Sequence, residues 1–507
     1  MKILNSSLMR QLDAYTIEHE PISSIKLMER AAAKCAGWIS ENIVAESKIT
    51  FLCGLGNNGG DGLAIARLLP RGIKDYKITI VVLRHSEKSS DDFRVNEERI
   101  QKSKKKIYYV NSIQELPAFD KDDIIVDAIF GSGLSKPVEG LLADVIQMVN
   151  SSGTPVISID LPSGLFSEDN SSNDPKAIVN ADTTLTFQCP KPSYFFPETN
   201  KYFGDLVVLD IGLHSGFMNS LDSGYFLVEK ADIQQSLKGR SRFSHKGTYG
   251  HGLLISGSYG KMGAAVLGAK AALRSGAGLV TTHIPKLGYQ IMQTSVPEAM
   301  VSLDDSEEFI SVLPDISKYN AIAIGPGIDQ KEETKTAMKL LIQNSSIPII
   351  LDADALNILS ENQTWLAFLP KGSILTPHPK EFERLAGKPA NTMQRLQMQK
   401  EFSMKFGVYI IYKGAFSTIS TPDGKFYFNP TGNPGMATGG SGDVLTGILL
   451  GLKACNYSPL ETCIIGAYIH GLSGDIALGK NSMESLIAGD IIKNLGKAFK
   501  SFSIASV

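Results

Sequence analysis

Tryptophan is nearly missing from this chain, with 2 in 507 residues, and cysteine is scarce, with 5. The cysteines stand at Cys35, Cys53, Cys189, Cys455 and Cys463, an odd number with no CxxC spacing. That excludes a disulfide-stapled secreted scaffold and points to reduced thiols and a cytoplasmic setting. No apolar run approaches the ~20 residues needed to span a bilayer. The opening MKILNSSLMRQLDAY has no apolar core of the kind a signal peptide carries. A charge surplus is lacking too: 50 Lys and Arg against 52 Asp and Glu leave a net −2. Such a balance gives no reason to bind nucleic acid or an anionic membrane. The one basic run, Lys102 to Lys106 interrupted by Ser103, reads as a solvated helix end.

What is there is an ordinary globular composition, 43% apolar and 20% charged, in a chain long enough for two or three domains. Short Ile- and Val-rich runs alternate with helix-like segments. Residues 48–53, 76–83, 124–129 and 155–160 read as strands, with 183–187 and 206–210 extending the same sheet. Helices are expected over 6–18 and 23–42. The pattern lapses over Gly212 to Ser223, which separates a domain at 1–215 from another at 224–507. A second series then offers strands at 253–256, 279–283, 321–324, 347–351, 373–375 and 408–412. Its helices should fill 264–274, 331–342, 379–386 and 443–453, with the tail 459–501 as further helix. Both series predict parallel sheets covered on both faces, an α/β fold of two doubly wound domains.

The most informative stretch runs from Asn433 to Gly447, NPGMATGGSGDVLTG. Glycines and small hydroxyl residues precede one acid, Asp443, and an apolar helix follows. Amides freed by such glycines, beside a helix start, suit a phosphate. An aspartate at that mouth can take a proton from a hydroxyl while a phosphoryl group is transferred to it. There is no Walker lysine.

A second glycine loop, FLCGLGNNGGDG, sits between a strand and a helix, and Gly54, Gly56 and Gly59 satisfy GxGxxG. An NAD-dependent dehydrogenase also places an acid about 20 residues further on. Leu83-Arg84-His85 stands there instead. Two more strand ends carry acids, Asp127 in VDAIFGSGL and Asp160 in DLPSG. Asn58, Asp127, Asp160 and Ser163 could converge at the carboxyl edge of the sheet, where their oxygens suit a hard cation; alternatively the acids cap helices.

These motifs resemble a known family. GLGNNGGDGLAIARLL, VDAIFGSGL, DLPSG and ADTTLTFQCPKP are similar to the epimerase domain of NAD(P)H-hydrate repair enzymes, a Rossmann-like three-layer sandwich. SHKGTYGHGLLISGSYGKMGAA, AALRSGAGLV, IGPG, LDADALN, LTPHPKEFERL, KGAFS and NPGMATGGSGD resemble their ribokinase-like dehydratase domain. Together they cover nearly the whole chain.

The resemblance implies repair of hydrated NADH and NADPH. The epimerase would interconvert the R and S forms. The dehydratase would restore the S form at the expense of ADP, giving AMP and phosphate. It implies a potassium ion held by Asn58, Asp127 and Ser163, and magnesium accompanying the ADP. It implies substrate contacts from Asn57, Asn58, Gly59, Gly60 and Asp61, from Gly131, Ser132, Gly133, Leu134, Ser135, Lys136 and Pro137, and from Asp160. In the second domain Ala264, Gly327, His378 and Asp443 would line the substrate site. Lys413, Gly414, Ala415, Phe416 and Ser417, with Gly439, Gly440 and Gly442, would hold the nucleotide. Asp443 is the expected base of dehydration. Asp160 or Asp127 would shuttle the epimerisation proton, and the residues do not choose between them. Partners are expected to be the small molecules NADHX, NADPHX and ADP, in a homo-oligomer. Three other readings stand beside this one: a sugar or vitamin kinase with an added domain, a nucleotide-sensing binding protein, and a dehydrogenase. The missing ribose-binding acid disfavours the last.

Overall fold

The computed structural model describes residues 1–69, 76–103 and 105–502, so Lys104 of the basic run lies outside the described residues. Two compact units emerge, one spanning Lys2–Ser223 and the other joining Met1 to Gly224 onwards.

In the first unit seven strands form one sheet: β1 (Lys48–Cys53), β2 (Lys77–Leu83), β3 (Ile107–Val110), β4 (Asp123–Ala128), β5 (Val156–Ile159), β6 (Thr183–Phe187) and β7 (Asp205–Leu209). Their order is β3-β2-β1-β4-β5-β6-β7, and every pair is parallel. The strands are apolar on both faces because helices cover both. Leu52, Val81, Leu83 and Ile125 pack with Leu142, Val145 and Ile146 of helix Leu141–Ser152. The order reverses between β1 and β4, the place where ligands enter such sheets. Strand β3, Ile-Tyr-Tyr-Val, was not expected from its sequence; it is a four-residue edge strand with little apolar alternation to signal it.

The second unit holds ten strands: β8 (Tyr225–Leu227), β9 (His251–Ile255), β10 (Leu279–Ile284), β11 (Met300–Leu303), β12 (Ala321–Ile324), β13 (Ile349–Leu351), β14 (Ile374–Leu375), β15 (Tyr409–Tyr412), β16 (Thr418–Ser420) and β17 (Phe426–Phe428). They lie in the order β11-β10-β9-β12-β13-β14-β15-β16-β17-β8. The stretch from β11 to β15 is parallel, and β16 turns back antiparallel on β15. Alternation along β9 sends Leu253 and Ile255 into one core and Leu254 into the other. Helices Glu332–Asn344, Asp354–Glu361 and Pro379–Ala386 cover the first face, and Met262–Arg274 and Ser441–Ala454 the second. The tail is helical as expected, in two helices, Pro459–Leu478 and Ala488–Lys500. Tyr249 closes a short 3-10 turn ahead of β9.

All five cysteines are unpaired. Among the described residues no helix is long and apolar enough to cross a membrane.

Candidate active sites

In the first unit the loops after β1, β4, β5 and β6 meet. Helix Asn57–Leu68 opens directly after β1, with Gly56 as its N-cap. A Cβ on Gly59 would stand 1.8 Å from Gly54 O, so the third glycine of the motif permits the helix to approach the strand. Asn58 Nδ2 donates to Ile159 O at 3.2 Å, which ties this helix start to the end of β5. A Cβ on Gly131 would lie 3.1 Å from Asp160 Oδ2 and 3.3 Å from Asn58 Oδ1. Asn58, Gly131 and Asp160 therefore share one small space.

The two strand-end acids have different surroundings. Asp127 is fully buried and accepts from Ser158 Oγ at 2.8 Å, Ser163 N at 2.8 Å, Ser163 Oγ at 2.5 Å and Ile129 N at 3.3 Å. Burial pushes its carboxyl up, and the Ser163, Ser158 and Ile129 hydrogen bonds oppose this. Its lone pairs are committed to the protein. Asp160 instead pairs with Lys191, whose Nζ donates to Oδ1 at 2.7 Å, and its Oδ2 accepts from Ser132 N at 2.9 Å. Burial works against the Asp160 carboxylate, but the Lys191 ammonium and the Ser132 amide outweigh it and hold the group below the ordinary range. Asp160 also sits at φ 67°, a left-handed conformation that non-glycine residues seldom adopt.

Lys191 was not singled out in the sequence. It is 1% exposed, and its ammonium also donates to Thr186 Oγ1 (2.8 Å) and Phe187 O (3.1 Å). Two further acids face the pair. Burial, with the Asp160 charge, raises Asp13 to about 6 and pushes Asp61 well above the carboxylate range. Of the residues expected to bind substrate, Asn58, Asp61, Gly131, Ser132 and Asp160 belong to this cluster. Lys136 and Pro137 line a cavity of about 500 Å³ beside it.

In the second unit the site again lies at the carboxyl edge of the parallel strands. Gly440 caps helix Ser441–Ala454 at φ 89°, which only a glycine adopts without strain, and this brings Asp443 into the first helical turn. Such a helix start presents amides that the helix itself leaves unpaired. Burial, then the nearby Asp352 charge, raises Asp443 to about 6 against the pull of Lys413. Asp352, the acid closing β13, accepts from Lys413 Nζ at 2.8 Å and from Thr446 Oγ1 at 2.7 Å. A Cβ on Gly442 would lie 3.5 Å from Lys413 Nζ, so the glycine helix start and the lysine at the end of β15 face each other. Burial disfavours the Lys413 ammonium, yet Asp352 and Glu381 outweigh it and raise the group.

The rest of the KGAFS loop is a tight turn into β16. Ser417 Oγ donates to Gly414 O at 2.9 Å, and Phe416 takes φ 50°. His378 follows β14 as the N-cap of helix Pro379–Ala386; its Nδ1 accepts from Lys380 N (3.1 Å) and Glu381 N (3.3 Å). The proline bracket thus aims the ring at its own helix, with Nε2 3.3 Å from Glu381 Oε1. Burial and Lys413 lower its basicity. Gly327 lies against Lys261 and Ala264, and Lys261 Nζ reaches Asp354 Oδ2 at 3.4 Å. His470, from helix Pro459–Leu478, holds Ser441 O at 3.0 Å; burial drops it to about 4, so it is neutral. Asp352, Glu381 and His470 were not singled out in the sequence. Asp352 had a signal, because it closes a strand in LDADALN just as Asp127 does in VDAIF.

Each unit thus gathers acids, a lysine and a glycine-lined helix start at the carboxyl edge of a parallel sheet. That arrangement defines an α/β protein for phosphate-bearing ligands, twice over in one chain. Residues 24–193 match the family described as YjeF-related protein N-terminus, and residues 252–497 match NAD(P)H-hydrate dehydratase. A bifunctional NAD(P)H-hydrate repair enzyme from Moorella thermoacetica is 36% identical, covering 97% of this chain and 95% of its own. One from Thermofilum pendens is 32% identical over 99% and 96%, respectively. An ADP/ATP-dependent NAD(P)H-hydrate dehydratase from Bacillus subtilis, co-crystallized with ATP/Mg2+, is 32% identical and covers 54% of this chain and 98% of its own, with a TM-score of 0.49. The chain belongs to the family of bifunctional NAD(P)H-hydrate repair enzymes.

Proposed function

We propose that the chain repairs hydrated NADH and NADPH: the first unit exchanges the R and S epimers, and the second dehydrates the S epimer with ADP. The observation that carries this is Asp443, a carboxylate raised to about 6 at a glycine-rich helix start facing Lys413.

In dehydration Asp443 takes the proton of the substrate hydroxyl as that oxygen attacks the β-phosphorus of ADP. The bond to the α-phosphate breaks and AMP departs. The first-turn amides at Gly440 and Gly442, with Lys413, take up the developing charge. Phosphate then leaves carbon, the ring nitrogen supplies the electron pair, and loss of the neighbouring C–H proton restores the double bond. Magnesium supplies charge neutralisation on the nucleotide phosphates. Among the described residues no group of three His, Cys, Asp or Glu stands together as a metal cage. The ADP preference rests on the family alone.

In epimerisation the hydrated carbon bears both nitrogen and hydroxyl. Asp160, kept ionised by Lys191, takes the hydroxyl proton as the C–N bond opens to a carbonyl and delivers it to the nitrogen. Ring closure on the other face reverses each transfer. Asp127 is then a buttress, its four hydrogen bonds fixing the loops after β4 and β5. Asn58, Asp127 and Ser163 carry hard oxygen donors of the kind potassium takes, but the Asp127 and Ser163 oxygens are already hydrogen-bonded within the protein, and Asn58 Oδ1, beside Gly131, is the donor that would hold the ion. The ion supplies electrostatic positioning of an anionic substrate. Five unpaired thiols suit a reducing cytoplasm.

The test is direct. Acid-hydrated NADH is incubated with protein and either ADP or ATP, and the return of NADH absorbance is followed. No return with either nucleotide removes the proposal.

A further inference from the structure

The place where a dinucleotide-binding sheet puts an acid is held here by a cation. Arg84 directly follows β2, and its N–H donates to Val110 O at 2.8 Å, fixing it where β2 and β3 end. Its guanidinium lies 4.3 Å over the Tyr109 ring and 3.5 Å from Glu97 Oε1, contacts that hold the side chain without burying it. Arg84 lines the cavity of about 500 Å³ together with His85, Asn111, Phe130 and Lys136. Glu139 is the one carboxylate in that lining.

This cavity and the Asp160 cluster share a single loop. Phe130 and Lys136 wall the cavity, while Ser132, between them, gives its N–H to Asp160. A substrate reacting at Asp160 and following the loop brings its far end to Arg84. That path is the ordinary one across a parallel sheet, with the adenosine ribose over the end of the second strand. There an Asp or Glu holds a 2′-hydroxyl, whereas an arginine accommodates a 2′-phosphate. An arginine fork matches a phosphate dianion, and a hydroxyl offers it no charge.

We infer that Arg84, assisted by Lys136, binds the ribose 2′-phosphate, so that the first unit prefers NADPHX to NADHX. This rests on the epimerase reading of that unit. The purified R epimers of NADPHX and NADHX are exchanged by the full chain and by its variants, with kcat/KM measured for each. The wild type favours NADPHX by about tenfold or more. Arg84→Ala lowers kcat/KM for NADPHX by about 10–100-fold, the worth of a charged hydrogen bond, mainly through KM. The ratio of the two substrates then falls toward one. Arg84→Asp inverts it, since the acid accepts from the 2′-hydroxyl and repels the phosphate. Lys136→Ala lowers the ratio by less, and residual NADHX exchange shows each variant to be folded. A wild-type ratio near one, or equal losses on both substrates in Arg84→Ala, overturns the inference. Failure of the epimerase reading looks different: the wild type exchanges neither substrate, and the inference falls with it.

Discussion

Lys191 Nζ sits 2.7 Å from Asp160 Oδ1, and the lysine side chain is wholly buried. A buried ion pair of this kind is seldom kept for stability, because desolvation cancels much of its attraction. Here it holds Asp160 below the ordinary carboxylate range, whereas burial raises Asp127.

Lys191→Met should strand the Asp160 carboxylate without its partner. The expected cost is about 3–5 kcal/mol to the first unit, seen as a lowered first thermal transition. R-to-S exchange should fall at least ~100-fold, while conversion of pure S substrate persists. The double variant Lys191→Met/Asp160→Leu should regain stability without exchange. Exchange near the wild-type rate in Lys191→Met would remove the pair from the chemistry.

Asp443→Asn should stop NADH recovery, with a loss of about 10²–10⁴-fold in kcat, and leave epimer exchange intact. Chromatography that resolves the two epimers checks both activities in one sample. Normal turnover in this variant would displace Asp443 as the base.

The pH profile of dehydration should have an acid limb near 6. The base acts as its carboxylate, so protonation below about 6 removes it, and kcat/KM falls about tenfold per pH unit below that point. Burial comes first in raising Asp443 and the Asp352 charge second. Asp352→Asn removes that charge and frees Lys413, and both changes shift the limb to lower pH. A limb unmoved in Asp352→Asn would show that another group titrates.

Asp127→Asn tests the buttress. An amide cannot accept both Ser163 N–H and the two hydroxyls as the carboxylate does, so the first unit should lose about 1–3 kcal/mol. Exchange should weaken in step with that destabilisation. Asp160→Asn, by contrast, should slow exchange with a smaller change in thermal midpoint. Equal midpoints with a selective loss in Asp127→Asn would make Asp127 the shuttle.

The strand-end acids were legible in the sequence because a local device, an Ile- and Val-rich run closed by aspartate, announces itself. So were Asp443 and its glycines. The difference between the surroundings of Asp127 and Asp160 was not, because it depends on Lys191, which follows the neighbouring strand β6. Nothing in QCPKP distinguishes a buried lysine from a solvated one; only the β5–β6 pairing does. The prolines on either side of His378 place its imidazole as a helix cap, which the motif alone does not show. The strands β8, β16 and β17 escaped notice for another reason. Each has three residues, too few to show a period, and β8 joins β17 across some two hundred residues of chain. The tail read as further helix without a stated break, although Gly479 and Asn481 mark the interruption after Leu478.

The clasp between Asp127 and Ser163 has a mechanical meaning. It welds the turn after β4 to the turn after β5, and Ser163 adds a second stitch by accepting from Phe130 N at 2.8 Å. Neither turn can swing alone. A ligand arriving here meets one fixed jaw, and facing it stands the helix beginning at Asn57, buried along its first two turns and tied to the end of β5 by Asn58 on Ile159 O.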